Sequence, residues 1–282
     1  MNTGIGDTKT TLNLKGKILD MSEPRVMGVL NLTPDSFYDK SRIKGESEII
    51  KKCQAMLDSG VTMIDLGGHS TRPGAVKVEE KEEITRVVPA IKVLTREFPD
   101  CILSIDTYRS AVAEAAVNEG AAMINDISGG QLDPQMFPLL ARTKVPYVLG
   151  HMKGTFDTMM SQVEYGDLIG EVFDFFQGKI NQLKELDVND VIVDPGFGFS
   201  KTLEQNYELL KNLGYFINLG RPLLVGFSRK SMIYKLLGIT PDDALNGTTA
   251  LNTIGLMKGA NIIRVHDVKE ATEVVRLFNM VR

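Results

Sequence analysis

At 282 residues, 43% hydrophobic and 24% charged, the chain is excluded from the disordered and fibrous classes and is long enough to bury a sizeable core. A net charge of −4 offers no electrostatic footprint for nucleic acid or an anionic membrane surface, so an anionic ligand must be met by a local gathering of cations. The two cysteines, Cys53 and Cys101, lack C-x-x-C spacing, which excludes a disulfide scaffold or structural zinc site and makes a reducing cytoplasm the expected compartment.

The first 24 residues lack the basic-then-apolar pattern of a secretion signal, and their short NLKGKILD segment is expected to lie across the bottom of the fold or to fray. From Arg25 onward, short apolar runs read as buried parallel strands. In order they are RVMGVLNL from Arg25, VTMIDLGG from Val61, CILSIDT from Cys101, AAMINDIS from Ala121, VPYVLGHM from Val145, VIVDPGF from Val191, PLLVGFSR from Pro222 and ANIIRVHD from Ala260. Most intervals hold a helical pattern: Ile84, Val87, Val88, Ile91 and Leu94 recur at three-and-four spacing, as do Ala271, Val274, Val275 and Phe278. Eight runs at a spacing of about 34 residues match βαβ units, and predict an α/β protein with one (β/α)8 TIM barrel domain over 25–282, preceded by an extension over 1–24. A doubly wound sheet would place a glycine-rich phosphate loop after its first strand, and none is present. The nearest approach, Gly196-Phe-Gly-Phe-Ser-Lys201-Thr202, has Ser200 where a P-loop needs glycine. The longest uncharged stretch, 244–257, is too short and too polar to span a bilayer, so no membrane association is expected.

In a parallel barrel the carboxyl ends of the strands surround one mouth. Nearly every predicted strand ends there in a polar residue: Asn31, Asp65, Asp106, Asn125 with Asp126, His151, Asp194, Ser228 with Arg229 and Lys230, and Arg264 with His266. His69, His151 and His266 each read alone as satisfied structural histidines, but their common position at strand ends favours function. Asp267, with Glu270 three residues on, reads as an N-cap, and the run 79–83 as a solvated helix start. Met152, Met159 and Met160 read as packing residues, and Cys53 and Cys101 as inert.

Three groups do not fit a purely structural role. Asp106, Asn125 and Asp194 stand on otherwise apolar strands, where a carboxylate is costly unless it meets matching donors, such as the edge of an amino-oxo heterocycle. Arg72, Lys230, Arg264 and His266 converge on the same face and suit a phosphate. The segments 31–37 and 67–74 are rich in turn residues and read as mobile covers.

The segments MGVLNLTPDSF, DLGGHSTRPGA, SIDTYRSAVAEAA, GAAMINDISGG, VIVDPGFGFSKTLEQNYELL, VGFSRKS and IIRVHDVKEA, in that order at the predicted strand ends, give the chain a resemblance to the dihydropteroate synthase family along nearly its whole length. The resemblance implies a (β/α)8 barrel, usually a homodimer and a sulfonamide target. Its members join p-aminobenzoate to the methylene carbon of a hydroxymethyl-dihydropterin diphosphate in folate biosynthesis, releasing pyrophosphate with Mg²⁺ present. Residue by residue, it implies that Asp106, Asn125, Asp194 and Lys230 bond the pterin, with Arg264 stacked on its face. Asn31, Arg72, Arg264 and His266 are implied at the diphosphate, Asn31 through the metal. Phe37, Thr71, Arg72, Pro73, Phe199, Lys230 and Ser231 are implied around p-aminobenzoate, and Asp35 near the reacting carbon. Asp35, Lys230, Arg264 and His266 are thus the expected catalytic set. An SN1-like displacement follows, in which the two covers exclude water from a cationic carbon.

Three positions depart from the family's pattern: His69 stands for a glutamate, Gly150 for a methionine and Phe227 for a methionine. Methyltetrahydrofolate-dependent methyltransferases share the barrel and the pterin acids, but have no need of the Ser228-Arg229-Lys230-Ser231 and Ser70-Thr71-Arg72-Pro73 runs. A metal-dependent hydrolase on this fold needs His-x-His on its first strand, which here ends in Asn31. A non-catalytic pterin-binding module would be expected to lose the loop and phosphate residues, which are present.

Overall fold

The computed structural model describes residues 9–32, 42–69 and 78–282, with the backbone alone for 42–44. Asp35, Phe37, Thr71, Arg72 and Pro73 lie outside the described residues. The chain opens with a hairpin of β1 (Thr11–Leu14) and β2 (Lys17–Asp20), turned by Lys15 and Gly16 at positive φ of 52° and 94°. It then alternates: β3 (Arg25–Asn31), α1 (Arg42–Asp58), β4 (Met63–Gly67), α2 (Glu80–Glu97), β5 (Ile102–Asp106), α3 (Ser110–Asn118), β6 (Met123–Asp126), α4 (Met136–Thr143) and β7 (Tyr147–Gly150). The second half runs α5 (Leu168–Glu185), β8 (Val191–Asp194), α6 (Leu203–Lys211), β9 (Leu224–Val225), α7 (Ser231–Leu237), α8 (Leu245–Met257), β10 (Ile262–Val265) and α9 (Val268–Asn279).

Strands β3 to β10 form one parallel sheet in the order β8-β7-β6-β5-β4-β3-β10-β9. Its two ends meet through a parallel bridge between Val193 and Leu223, with the Val193 N–H donating to Pro222 O at 2.9 Å, so the sheet closes into the predicted barrel. The run PLLVGFSR contributes only Leu224–Val225 and that bridge, because Pro222 has no N–H for a ladder and the chain leaves strand geometry before Gly226.

The period of two along each strand sorts side chains into two populations. Val26, Leu30, Ile64, Leu66, Ile105, Ile124, Leu149, Val193, Ile263 and Val265 face outward and share a buried cluster with Val87, Ile91, Leu94, Phe176 and Val275 of the helices. Met27, Met63, Met123, Val148, Ile192, Leu224 and Ile262 face inward near the amino ends of their strands, in a separate cluster with Leu12, Leu14 and Met21. The amino-terminal hairpin and the residue after it thus seal that end of the barrel with the buried side chains of Leu12, Leu14 and Met21, each stabilising by roughly 1.5 to 3 kcal/mol. One step higher, the inward positions turn polar: Asp65, Ser104, Asn125, Asp194 and Arg264. Register puts Gly67 beside Asp106 and Asp106 beside Asn125, so these lie at one level near the carboxyl ends.

Candidate active site

Arg264 on β10 is the centre of the polar layer. Its Nε donates to Asp65 Oδ2 at 2.7 Å and one terminal nitrogen to Asp106 Oδ2 at 2.6 Å, while Asn125 Nδ2 donates to the same Asp65 oxygen at 2.8 Å. One guanidinium therefore ties together side chains from β4, β5 and, through Asp65, β6. Burial opposes the charge on Arg264, but the Asp65 and Asp106 carboxylates outweigh it and hold the guanidinium firmly protonated. Burial also lifts the Asp106 carboxyl to about 7, despite the pull of Arg264, with Asp65 adding to the rise. Asp65 is fully buried, and its Oδ1, like the Oγ of its register partner Ser104, has no partner among the described residues. Unmatched polar atoms at this depth suit a ligand that brings its own hydrogen-bonding edge.

Asp194, at the end of β8, accepts from Gly196 N at 2.9 Å; burial raises its carboxyl and nearby Lys230 draws it back down. Lys230 reaches across from the turn before α7, donates to Phe197 O and lies 4.9 Å from the centre of the Phe199 ring. Burial pushes its amine down to about 8, against the pull of Asp194. Ser231, the first residue of α7, follows it directly and is half-buried.

Beside Arg264, the Ser228 hydroxyl accepts from His266 N at 3.2 Å and lies 3.0 Å from His266 Nδ1. The Ser228 hydroxyl thus anchors both the backbone N–H and the Nδ1 edge of His266, whose ring is exposed. Asn31, exposed at the end of β3, pairs with Gly67; a Cβ on Gly67 would lie 3.7 Å from Asn31 Oδ1 and 3.8 Å from Asp106 Cβ, so this glycine keeps the gap between them open. Among the described residues no group of three acidic, histidine or cysteine side chains could cage a metal. A lone amide oxygen at the mouth fits a hard cation such as Mg²⁺ that takes its other oxygens from water and a diphosphate.

Asp106 and Arg264 are thus joined directly, and Asn125 to them through Asp65; Asp194, Lys230 and Phe199 form a second group at the β8 end, and His266 stands on a third flank. Asp65 was visible in the sequence only as one polar strand end, yet it is the hub. Its parity with Met63 and Gly67 in MIDLG was the signal. The same parity separates Asp126 from Asn125: Asp126 faces away from the barrel axis and accepts from Tyr147 Oη at 2.8 Å, Ser128 N at 2.8 Å and Gly130 N at 2.9 Å, shaping the turn after β6. His151 does not join His266, because its ring packs on Phe175 and Phe176 of α5 with centroids 5.0 and 6.2 Å away. His69 packs edge-on against Tyr108 and Phe156, and burial, helped by Arg109 and Arg86, lowers its pKa. Asp267 stands at the start of α9 but caps nothing with its side chain; its carboxylate takes a two-pronged bond from Arg229 at 3.0 and 2.9 Å, which withdraws Arg229 from the mouth. Gly150 is demanded by packing, since a Cβ there would lie 2.4 Å from Ile127 Cα. Phe227 fills the wall behind, its ring T-shaped on Phe197 at 4.6 Å.

Residues 27–266 match the family model described as pterin binding enzyme. The chain is 41% identical over 265 residues to the dihydropteroate synthase of Escherichia coli strain K12, covering 93% of each protein, and 43% identical over 255 residues to that of Synechocystis, covering 89% of this chain and 88% of the other. Among solved structures, a Yersinia pestis dihydropteroate synthase in complex with a sulfonamide drug superposes with a TM-score of 0.89 at 42% identity, covering 96% of this chain and 99% of that one. The Xanthomonas albilineans dihydropteroate synthase with 4-aminobenzoic acid gives 0.88 at 35% identity, covering 96% and 98%. With barrel, polar layer and full-length similarity in agreement, the chain belongs to the dihydropteroate synthase family of pterin-binding enzymes.

Proposed function

We propose that this protein condenses p-aminobenzoate with hydroxymethyl-dihydropterin diphosphate, forming dihydropteroate and pyrophosphate. The observation that carries the reading is the preorganised edge of Asp65, Asp106, Asn125 and Asp194 around Arg264 at the barrel mouth. Asp106, Asn125, Asp194 and Lys230 bond the pterin edge. Arg264, its own edge held by two carboxylates, offers its flat face to the ring. A site so built rejects rings without matching N–H groups, because its buried carboxylates would be left unpaired.

Arg264, His266, Asn31 and, outside the described residues, Arg72 surround the diphosphate. Asn31 would hold Mg²⁺, which would supply neutralisation of the charge on the leaving group. The bond between the methylene carbon and the diphosphate oxygen breaks, leaving a cation delocalised over the pterin and countered by Asp35. The neutral amine of p-aminobenzoate then forms the C–N bond and loses one proton to solvent. Phe199, Lys230 and Ser231, with Phe37, Thr71, Arg72 and Pro73, receive this second substrate; the acid found in the Xanthomonas relative supports that choice. Closure of the segments 31–37 and 67–74 excludes water during the cationic stage.

The protein acts as a homodimer, a reading supported by exposed Ile254, Met257, Leu277 and Met280 on the outer faces and ends of α8 and α9. A reducing cytoplasm suits Cys53 and Cys101, both free thiols. Among the described residues no helix is long and apolar enough to cross a membrane. The test is to supply purified protein with Mg²⁺, the pterin diphosphate and p-aminobenzoate. Dihydropteroate and pyrophosphate should appear in equal amounts; pterin binding without product would overturn the assignment. Pyrophosphate release strictly dependent on p-aminobenzoate in pre-steady-state kinetics would overturn the dissociative order.

A further inference from the structure

The run Gly196-Phe-Gly-Phe-Ser-Lys201-Thr202, which approaches a phosphate loop without being one, has a lysine that the chemistry above does not use. Lys201 is almost wholly buried, and its ammonium makes three contacts: Gly196 O at 3.2 Å, Phe199 O at 3.1 Å and His151 Nδ1 at 3.1 Å. An ammonium has three N–H bonds, so all are satisfied without water or an external anion. His151 must then accept through Nδ1 as a neutral imidazole, which agrees with burial holding its pKa well below the ordinary value.

The other side of the same turn faces the site. Asp194 Oδ1 accepts from Gly196 N at 2.9 Å, Phe197 O accepts from Lys230 Nζ, and the Phe199 ring lies beside the Lys230 ammonium. Gly198 N donates to Asn206 Oδ1 at 2.6 Å, and a Cβ on Gly198 would press on Lys230 Cδ at 3.3 Å. Gly196 is forced as well: its φ is 74°, and a Cβ there would sit 2.0 Å from His151 O. The turn is therefore held between two lysines, Lys201 binding the carbonyls of residues 196 and 199 from the core and Lys230 that of residue 197 from the mouth.

We propose that Lys201 is a positioning residue for the second substrate: its buried ammonium fixes the backbone of residues 196–199 so that Phe199 and Lys230 form one wall of the p-aminobenzoate subsite. The inference rests on the function proposed above. With Lys201 neutral, one of its three acceptors would face a lone pair, and the turn would lose the tie that holds residues 196 and 199 at a fixed separation. Burial pushes the Lys201 amine down to about 7 against the opposing pull of Asp194, so the cage sits near the limit at which a cation is held. The charged and titratable groups facing it are His151, Asp194, Lys153 and Lys230.

Lys201→Met keeps the unbranched chain up to the position of Cε and removes the ammonium. It should raise KM for p-aminobenzoate by about tenfold or more, while the Kd of the pterin, measured by calorimetry in the absence of turnover, stays within about threefold. Should the methionine variant not fold, Lys201→Gln, which retains two donors for the two carbonyls, should show the same split at smaller amplitude. Amide exchange across residues 195–200 should quicken in either variant, with the barrel strands unchanged. An unchanged KM for p-aminobenzoate, or an equal loss of pterin affinity, overturns the inference. Failure of the unmodified protein to form dihydropteroate would instead overturn the function on which it rests.

Discussion

A single guanidinium bridging Asp65 and Asp106 means that neither carboxylate acts alone: each is held in place by Arg264, and Arg264 by both. The Asp106 carboxyl is lifted by burial from 3.8 to about 7, so in the ligand-free protein it takes up a proton just below neutrality. For an acid raised in this way, the stability it contributes is complete below about 3.8 and is lost as pH rises through about 7. Ligand binding runs in the opposite sense, because N–H donors of a pterin need the carboxylate. Pterin Kd should therefore fall as pH is raised from 6 to 8, and Asp106→Asn should flatten that dependence and weaken binding by about tenfold or more, as calorimetry at several pH values would read. Lys230→Ala, which removes the ammonium beside Phe199, should cost at least about tenfold in kcat/KM, and unchanged kinetics would remove it from the site.

Between β4 and α2, the described residues on either side of 70–77 are held by buried charge. Arg86 donates to Gly68 O at 3.0 Å and pairs with Glu82, while Arg109 donates to Val78 O at 2.7 Å and to Glu83 Oε2 at 2.5 Å. Glu83 is fully buried, and burial raises its carboxyl against the pull of Thr107 and Arg109. Arg109→Met would strand that carboxylate and should destabilise the protein by about 3 to 5 kcal/mol in urea denaturation. At the end of β7, Gly150→Met, the change toward the family's usual residue, should also destabilise this chain, since Ile127 Cα occupies the space a Cβ would need. Lower expression with a reduced midpoint would be the readout; an unchanged midpoint would mean that the turn after β6 moves aside.

Across the whole molecule, the barrel separates stability from chemistry. One end is closed by Leu12, Leu14 and Met21 against inward Met27, Met63 and Met123, and the other is lined with charge. Leu12→Ala should lower stability by about 2 to 5 kcal/mol with little effect on KM, because it empties volume at the closed end, far along the strands from the mouth. On the homodimer proposed above, which the exposed apolar residues of α8 and α9 would serve, Met257→Glu should shift sedimentation from dimer toward monomer.

The repeat of eight apolar runs separated by helical patterns was enough to specify a single parallel barrel, because period and spacing are local properties of the sequence. The motif order likewise identified the family, whereas Asp65 stood out only as one polar strand end among several. What the sequence left open depended on contacts between residues far apart in the chain. Arg264 reaches back 199 residues to Asp65, Arg229 is taken up by Asp267 38 residues on, and His151 turns to the helices where His266 bonds Ser228. The lysine of an apparent phosphate loop binds its own backbone because the turn folds over β7 and buries it. Local pattern decided which elements form and which way each strand position faces; only closure of the barrel decided which charges meet, because the cost of burying a charge depends on the partner that closure brings to it.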